Sequence, residues 1–316
     1  MTTMRDFSES ATDIKRPQFG GRHLSDETCV FNHNAWDDVH WTEEVKERAV
    51  ELVSTNTNEK LPPEVRGPSE SINIPISYYL IEIYEKNSSK YWDQFYRLHE
   101  NRFFKSRSWL PTEFPELFNT VCESADRSVI FEVGCGTGST TLPIIRDTKN
   151  TFVYASDFSP EAVDCLRQSP EFDPSRCHAF VFDVTSEEYE LPFPLASLDF
   201  VLIVFVLSAI DPQFFHKILA NLTNYLKPGG MILFRDYGRL DMAQLRFKKG
   251  KCLADNFYLR SDGTRVYFFE QEELRRLFEG CGLEEVQNRT DRRLLVNRKQ
   301  KLQMYRVWIQ CKYRKN

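Results

Sequence analysis

The sequence contains no run of about 18 apolar residues, so no membrane-spanning helix is expected. It has no CxxC pair. Its eight cysteines, at positions 29, 122, 135, 165, 177, 252, 281 and 311, are scattered, which argues against a zinc site or a disulfide framework. A reduced intracellular compartment follows. The first residues, MTTMRDFSESATDIKRP, lack the apolar core of a secretory signal. Asp6, Glu9 and Asp13 are out of place in a mitochondrial presequence, so a cytoplasmic protein is expected. The six histidines are spread along the chain with no metal-ligand spacing, and no metal is expected. No internal repeat is present.

The 316 residues are 41% hydrophobic and 28% charged, a globular balance. The net charge of −5 hides an asymmetry. Residues 235–316 carry a net +9 and residues 1–234 a net −14. A basic segment on an acidic body suggests a localised anionic partner, or else a solvated charged surface.

Residues 1–53 are polar with spaced aromatics and form an N-terminal extension. Residues 54–76 carry four prolines and many Ser, Thr and Asn, and read as a linker. The stretch 77–104 has a helical rhythm, with Tyr91, Phe95 and Leu98 at four- and three-residue spacing. It opens a helical cap over 77–127. From 128 onward, strand-like runs alternate with helix-like runs. Strands are expected at SVIFEV, TFVYASD, HAFVFDV, LDFVLIVFVLS and MILFRDY, with KPGG as the turn into the last. This is the pattern of an α/β domain over 128–316, a mainly parallel sheet with helices on both faces. A hairpin is expected around Asp262-Gly263, inside a basic insertion at about 236–269.

FEVGCGTGS, residues 131–139, directly follows the first strand. Such a glycine loop lets the backbone approach a ligand closely. Alone it fits a dinucleotide, a nucleoside or a bare turn. Asp157 ends the second strand and Asp183 the third, and ligands in open parallel sheets sit beyond those ends. Each Asp alone would also serve as a helix cap.

The loop E-x-G-x-G-x-G, with Asp157 and Asp183, resembles the Rossmann-like S-adenosylmethionine (SAM) methyltransferases over about 128–235. The segments KYWDQFYRLHENRFFKSRSWLPTEFPEL (90–117), FVLSAI (205–210), FRDYGRLDMAQLRFKKG (234–250) and NFYLRSDGTRVYFF (256–269) resemble the tRNA N3-methylcytidine methyltransferases. QFGGRHL and VFNHNAWDDVHWTEE resemble the branch acting on threonine tRNAs and, in some animals, arginine tRNAs.

The resemblance implies methylation of cytidine 32 in the anticodon loop. It implies SAM contacts at Trp92, Tyr96, Gly134, Gly136, Asp157, Asp183, Val184 and Val204. Trp92 and Tyr96 share a helical face, as a lid or as a core pair. Cytidine N3 keeps a lone pair at neutral pH, so alignment matters more than a general base. Asp236 stands as stabiliser of the cationic product ring, or as partner of Arg235 or Arg239, and Tyr237 as a stacking residue. Phe103, Phe104, Lys105, Arg107 and Trp109 offer rings and cations for an RNA loop. Arg246, Lys248, Lys249 and Lys251 form one basic stripe, and Arg292, Arg293, Arg298 and Lys299 another. An aminoacyl-tRNA synthetase or another accessory protein is an expected partner. A scaffold subunit that needs a partner for activity, or a methyltransferase for another substrate, is the alternative.

Overall fold

The computed structural model describes residues 22–58, 82–99, 106–118 and 127–316. The strands are β1 (Ala35–Asp37), β2 (Ser128–Val133), β3 (Thr151–Asp157), β4 (Cys177–Val181), β5 (Leu198–Val204) and β6 (Leu226–Tyr237). They continue as β7 (Cys252–Ala254), β8 (Phe257–Leu259), β9 (Arg265–Tyr267), β10 (Leu283–Asn297) and β11 (Leu302–Lys315). The helices are α1 (Glu43–Asn58), α2 (Ser88–His99), α3 (Leu110–Glu113), α4 (Thr141–Asp147), α5 (Pro160–Arg167), α6 (Phe215–Tyr225), α7 (Met242–Leu245) and α8 (Gln271–Gly280). A helical turn over 82–86 leads into α2.

The main sheet runs β1-β10-β11-β6-β5-β2-β3-β4. Strands β6 to β4 are parallel, and β11, β10 and β1 extend the sheet antiparallel. The parallel strands are apolar on both sides because both sides are covered. Along β5, Val201 and Ile203 face the core made by α6 and α8, while Phe200, Leu202 and Val204 face the core made by α4, α5 and residues 110–117. Because β2 has β3 on one side and β5 on the other, a crevice opens beyond their carboxyl ends.

Several boundaries differ from the sequence reading. Helix α1 continues through residues 54–58, where a linker was expected; Asn56 is buried and donates to the Phe247 carbonyl at 3.0 Å. On α2 the buried stripe is Phe95 and Tyr96 with Trp92 beside them, while Leu98 is 75% exposed. The helix is turned about one residue from the expected face. KPGG is the irregular start of β6, not a separate turn, with a register shift against β5 and Gly229 at φ +80°. The apolar run after Leu198 leaves the strand at Val204, because Phe205 takes a left-handed φ of +60°.

Candidate active site

The glycine loop leaves β2 at Val133. Gly134 has φ +63°, which favours glycine, and a Cβ there would stand 2.5 Å from Val206 Cγ2. The loop is held by one carboxylate. Asp157, at the end of β3, accepts from the Gly136 amide at 2.9 Å and the Ser159 amide at 3.0 Å. Burial pushes its pKa up to about 6. Glu132 lies beneath the loop, accepts from the Thr141 hydroxyl, and is raised by burial to about 7.

These elements border a cleft of about 170 Å³ at the carboxyl ends of β2, β3 and β5. Gly134, Asp157, Asp183, Val184, Trp92 and Tyr96 all line it. Asp183 lies two residues beyond β4, where its carboxylate accepts from the Thr185 amide at 2.9 Å. Trp92 and Tyr96 line the cleft and also form a packed pair, their rings 5.8 Å apart beside Ala162. Gly136 sits one step back, under the Tyr96 hydroxyl. Val204 is not on the cleft. Strand alternation turns it into the core, and Phe205 and Val206 line the cleft instead. In a continuous apolar run nothing distinguishes the last strand residue from the first loop residue.

Beside the cleft, around Phe205, the surface is aromatic and cationic. The Phe205 ring meets Tyr237 at 5.1 Å, and the Arg107 guanidinium lies 5.0 Å over Phe205. Arg107 is fixed by the Ser139 hydroxyl at 3.2 Å, and Arg260 reaches the Tyr237 ring at 5.8 Å. Tyr237 is half-buried and therefore presents ring surface. Arg260 was not singled out from the sequence, because its relation to Tyr237 depends on how the hairpin folds back.

Asp236 is placed differently from expectation. It is 0% exposed, does not line the cleft, and pairs with neither Arg235 nor Arg239. Its oxygens accept from the Ser208 amide at 2.9 Å and the Tyr237 amide at 2.8 Å. Burial lifts its pKa to about 6. It therefore anchors the turn after β5.

The expected RNA-contacting residues divide. Phe103, Phe104 and Lys105 lie outside the described residues. Arg246, Lys248 and Lys249 are exposed after α7, as are Arg298 and Lys299 between β10 and β11. Arg292 is half-buried. Arg293 is not a surface cation: its side chain is 10% exposed and sits among Asp37 at 3.3 Å, Asp291 at 3.4 Å and Glu113 at 3.7 Å. Trp109 is half-buried, with the Arg235 guanidinium 5.0 Å from its ring. Arg235 in turn pairs with Asp291 at 2.5 Å and donates to Gln310 at 2.7 Å. Among the described residues no helix is long and apolar enough to cross a membrane, and no group of three or more His, Cys, Asp or Glu side chains is placed to hold a metal.

Residues 130–230 match the family model described as a methyltransferase domain. The chain is 48% identical to the tRNA N(3)-cytidine methyltransferase METTL2 of Danio rerio, over 97% of this chain and 91% of that protein. The chain belongs to the tRNA N3-cytidine methyltransferase family. It is also 41% identical to the tRNA(Thr) (cytosine(32)-N(3))-methyltransferase of Saccharomyces cerevisiae, over 97% of this chain and 48% of that protein. Among solved structures, a Burkholderia thailandensis 1,6-didemethyltoxoflavin-N1-methyltransferase with bound S-adenosylhomocysteine is similar at 17% identity. That match has a TM-score of 0.47 and covers 78% of this chain and 93% of the other.

The fold is the Rossmann-like SAM methyltransferase fold, and the family's cofactor is SAM. The cleft fits it. A carboxylate stands at the end of β3, a glycine stands where a Cβ would clash with Val206, and the tilted pair of Trp92 and Tyr96 rings lines one side.

Proposed function

We propose that this protein methylates N3 of cytidine 32 in the anticodon loop of threonine tRNAs. The observation that carries the reading is the extent of the likeness: at 48% identity the match to the zebrafish enzyme runs over 97% of the chain, well beyond the methyltransferase domain at residues 130–230. Bound SAM supplies an electrophilic methyl group. The work of the protein is to bind, orient and exclude water. Asp157 is positioned for the ribose hydroxyls, and Trp92 and Tyr96 for covering the cofactor. N3 lies on the pairing edge, so the base must leave any stack, and Phe205, Tyr237 and Arg107 offer ring faces and charge to receive it. The engagement of both Asp236 oxygens by main-chain amides suits a reaction that needs no base.

The exposed cations hold the RNA backbone. The double variant Lys248→Glu/Lys249→Glu should weaken tRNA binding, leave SAM binding unchanged, and flatten the log–log salt dependence of tRNA affinity by roughly two units. Filter binding across a salt series checks this. We place the enzyme in the cytosol and take an aminoacyl-tRNA synthetase or other accessory protein as a partner.

The titration of Asp157 gives a pH prediction. Below about pH 6 its carboxyl is neutral and a poorer acceptor for ribose, so SAM affinity should rise as pH increases through 6, and Asp157→Asn should lose that rise. Stability should move the other way. Asp157, Asp236 and Glu132 all have raised pKa values, so the native state holds more protons than the unfolded chain between about pH 4 and 7. Stability should therefore fall as pH rises through that window. Titrations of binding and denaturation against pH separate the two trends.

The deciding experiment incubates the purified protein with methyl-labelled SAM and tRNA from cells lacking the activity, then identifies the labelled nucleoside by mass spectrometry. Labelled N3-methylcytidine supports the proposal, and label confined to another nucleoside overturns it.

A further inference from the structure

Two elements outside the methyltransferase core meet over the cofactor cleft. The first is the helical stretch 82–99, which carries Trp92 and Tyr96. The second is the β8–β9 hairpin, which carries Arg260 against Tyr237. Arg265, at the start of β9, is 2% exposed and lines the cleft. Its guanidinium makes an ion pair with Glu85, which also lines the cleft, and donates to the Ala209 carbonyl in the turn after β5 at 3.4 Å. The contact is steric as well. At the hairpin turn, Gly263 has φ +85°, and a Cβ there would fall 2.4 Å from the Tyr91 ring. The ring of Tyr91 therefore seats on bare backbone.

The other end of the helical stretch is fastened to the core. Arg97 pairs with Glu161 at 2.6 Å, and the Ser159 hydroxyl donates to Asp93 at 2.5 Å. Arg97 and Glu161 are well exposed, and such pairs hold weakly. The Glu85–Arg265 pair is much less hydrated, which makes it sensitive to loss of either partner.

We propose that Arg265 is a positioning residue for the methyl transfer: with Glu85 it latches the helical stretch shut over bound SAM and so sets how long the cofactor stays. The inference rests on the cleft being the SAM site. It extends that reading by assigning cofactor retention to a residue of the hairpin that also walls the substrate end. Arg265 has no part in the chemistry itself. An open latch leaves the cleft formed but populates a conformation in which the rings no longer cover it. If the closed fraction falls to about a tenth, apparent SAM affinity falls about tenfold.

The test uses the full chain and four variants: Glu85→Gln, Arg265→Lys, Arg265→Gln, and the exchange Glu85→Arg/Arg265→Glu. SAM dissociation is followed by stopped-flow tryptophan fluorescence, and steady-state methylation of tRNA is measured across SAM concentrations. Glu85→Gln and Arg265→Gln should speed dissociation and raise KM for SAM about tenfold, with kcat at saturating SAM within about twofold of wild type. Arg265→Lys, which keeps the charge, should lie between wild type and Arg265→Gln. The exchange should restore part of the affinity. Equal losses of kcat and affinity in every variant, with no recovery in Arg265→Lys or the exchange, would make the pair merely structural and overturn the inference. Unchanged dissociation in folded Glu85→Gln would do the same. Failure of the wild-type protein to bind SAM would instead overturn the cofactor site itself.

Discussion

Asp157→Ala should lower affinity for SAM on the order of 100-fold. Two effects combine. On the proposed reading the carboxylate accepts from ribose hydroxyls, and hydrogen bonds to a charged group contribute about 1.5–3 kcal/mol each. Two of them reach a 100-fold change in binding at about 1.4 kcal/mol per tenfold. The same oxygens also hold the Gly136 and Ser159 amides. Their loss frees the glycine loop and the start of α5 together. Asp157→Asn should be nearly as damaging, because its NH2 group would face a main-chain N–H in place of an acceptor. Isothermal titration with SAM reads the result. Wild-type affinity in Asp157→Ala would remove Asp157 from the cofactor site.

The second large effect concerns stability. Asp291→Ala should destabilise the fold by about 3–5 kcal/mol, the usual consequence of stripping a buried cation of its partner. Asp291 on β10 faces Arg235 on β6 at 2.5 Å and Arg293 at 3.4 Å, all nearly buried. Gln310 remains to Arg235 and the charge of Glu113 still acts on it, but neither replaces the direct carboxylate contact. The damage should also reach the site, because the Phe205 amide donates to the Arg235 carbonyl at 2.8 Å and Asp236 follows directly. Chemical denaturation measures the loss. Asp291→Asn should retain more stability than Asp291→Ala by keeping an acceptor oxygen. A change below about 1 kcal/mol in Asp291→Ala would show that solvent or Gln310 compensates Arg235.

The parallel half of the sheet was legible in the sequence because both its faces are buried, which leaves continuous apolar runs separated by loops. The glycine loop and the two acids were legible for a related reason: ligand sites in this architecture lie at the carboxyl ends of strands. Strand β10, LEEVQNRTDRRLLVN, was missed. Its charged residues carry no period-two apolar signal, because one of its faces is covered by ion pairs to residues distant in sequence. Arg289 meets Glu113 there, and Arg293 meets Asp37. The same long-range pairing explains why Arg293 read as an RNA contact. Asp236 was singled out by its place at the end of a parallel strand, with pairing to Arg235 or Arg239 as the alternative, whereas its hydrogen-bond partners are the amides of Ser208 and Tyr237. Main-chain partners of that kind leave no trace in composition.

The ion pairs across β10 and β11 bear on modularity. Part of the basic surplus after residue 235 is matched by acids from the first 127 residues: Arg289 and Arg293 by Glu113, Arg293 also by Asp37, and Lys312 by Glu116 at 2.6 Å. A fragment starting at residue 128 would take Glu113 from Arg289 and Glu116 from Lys312 and would leave Arg293 with Asp291 but without Asp37 and Glu113, although it contains the whole glycine loop and both acids of the cleft. The half of the chain after residue 127 is therefore not a cassette that can be exchanged between relatives at a convenient linker. A chimera should work only when the acids of 37–116 travel with the strands they neutralise.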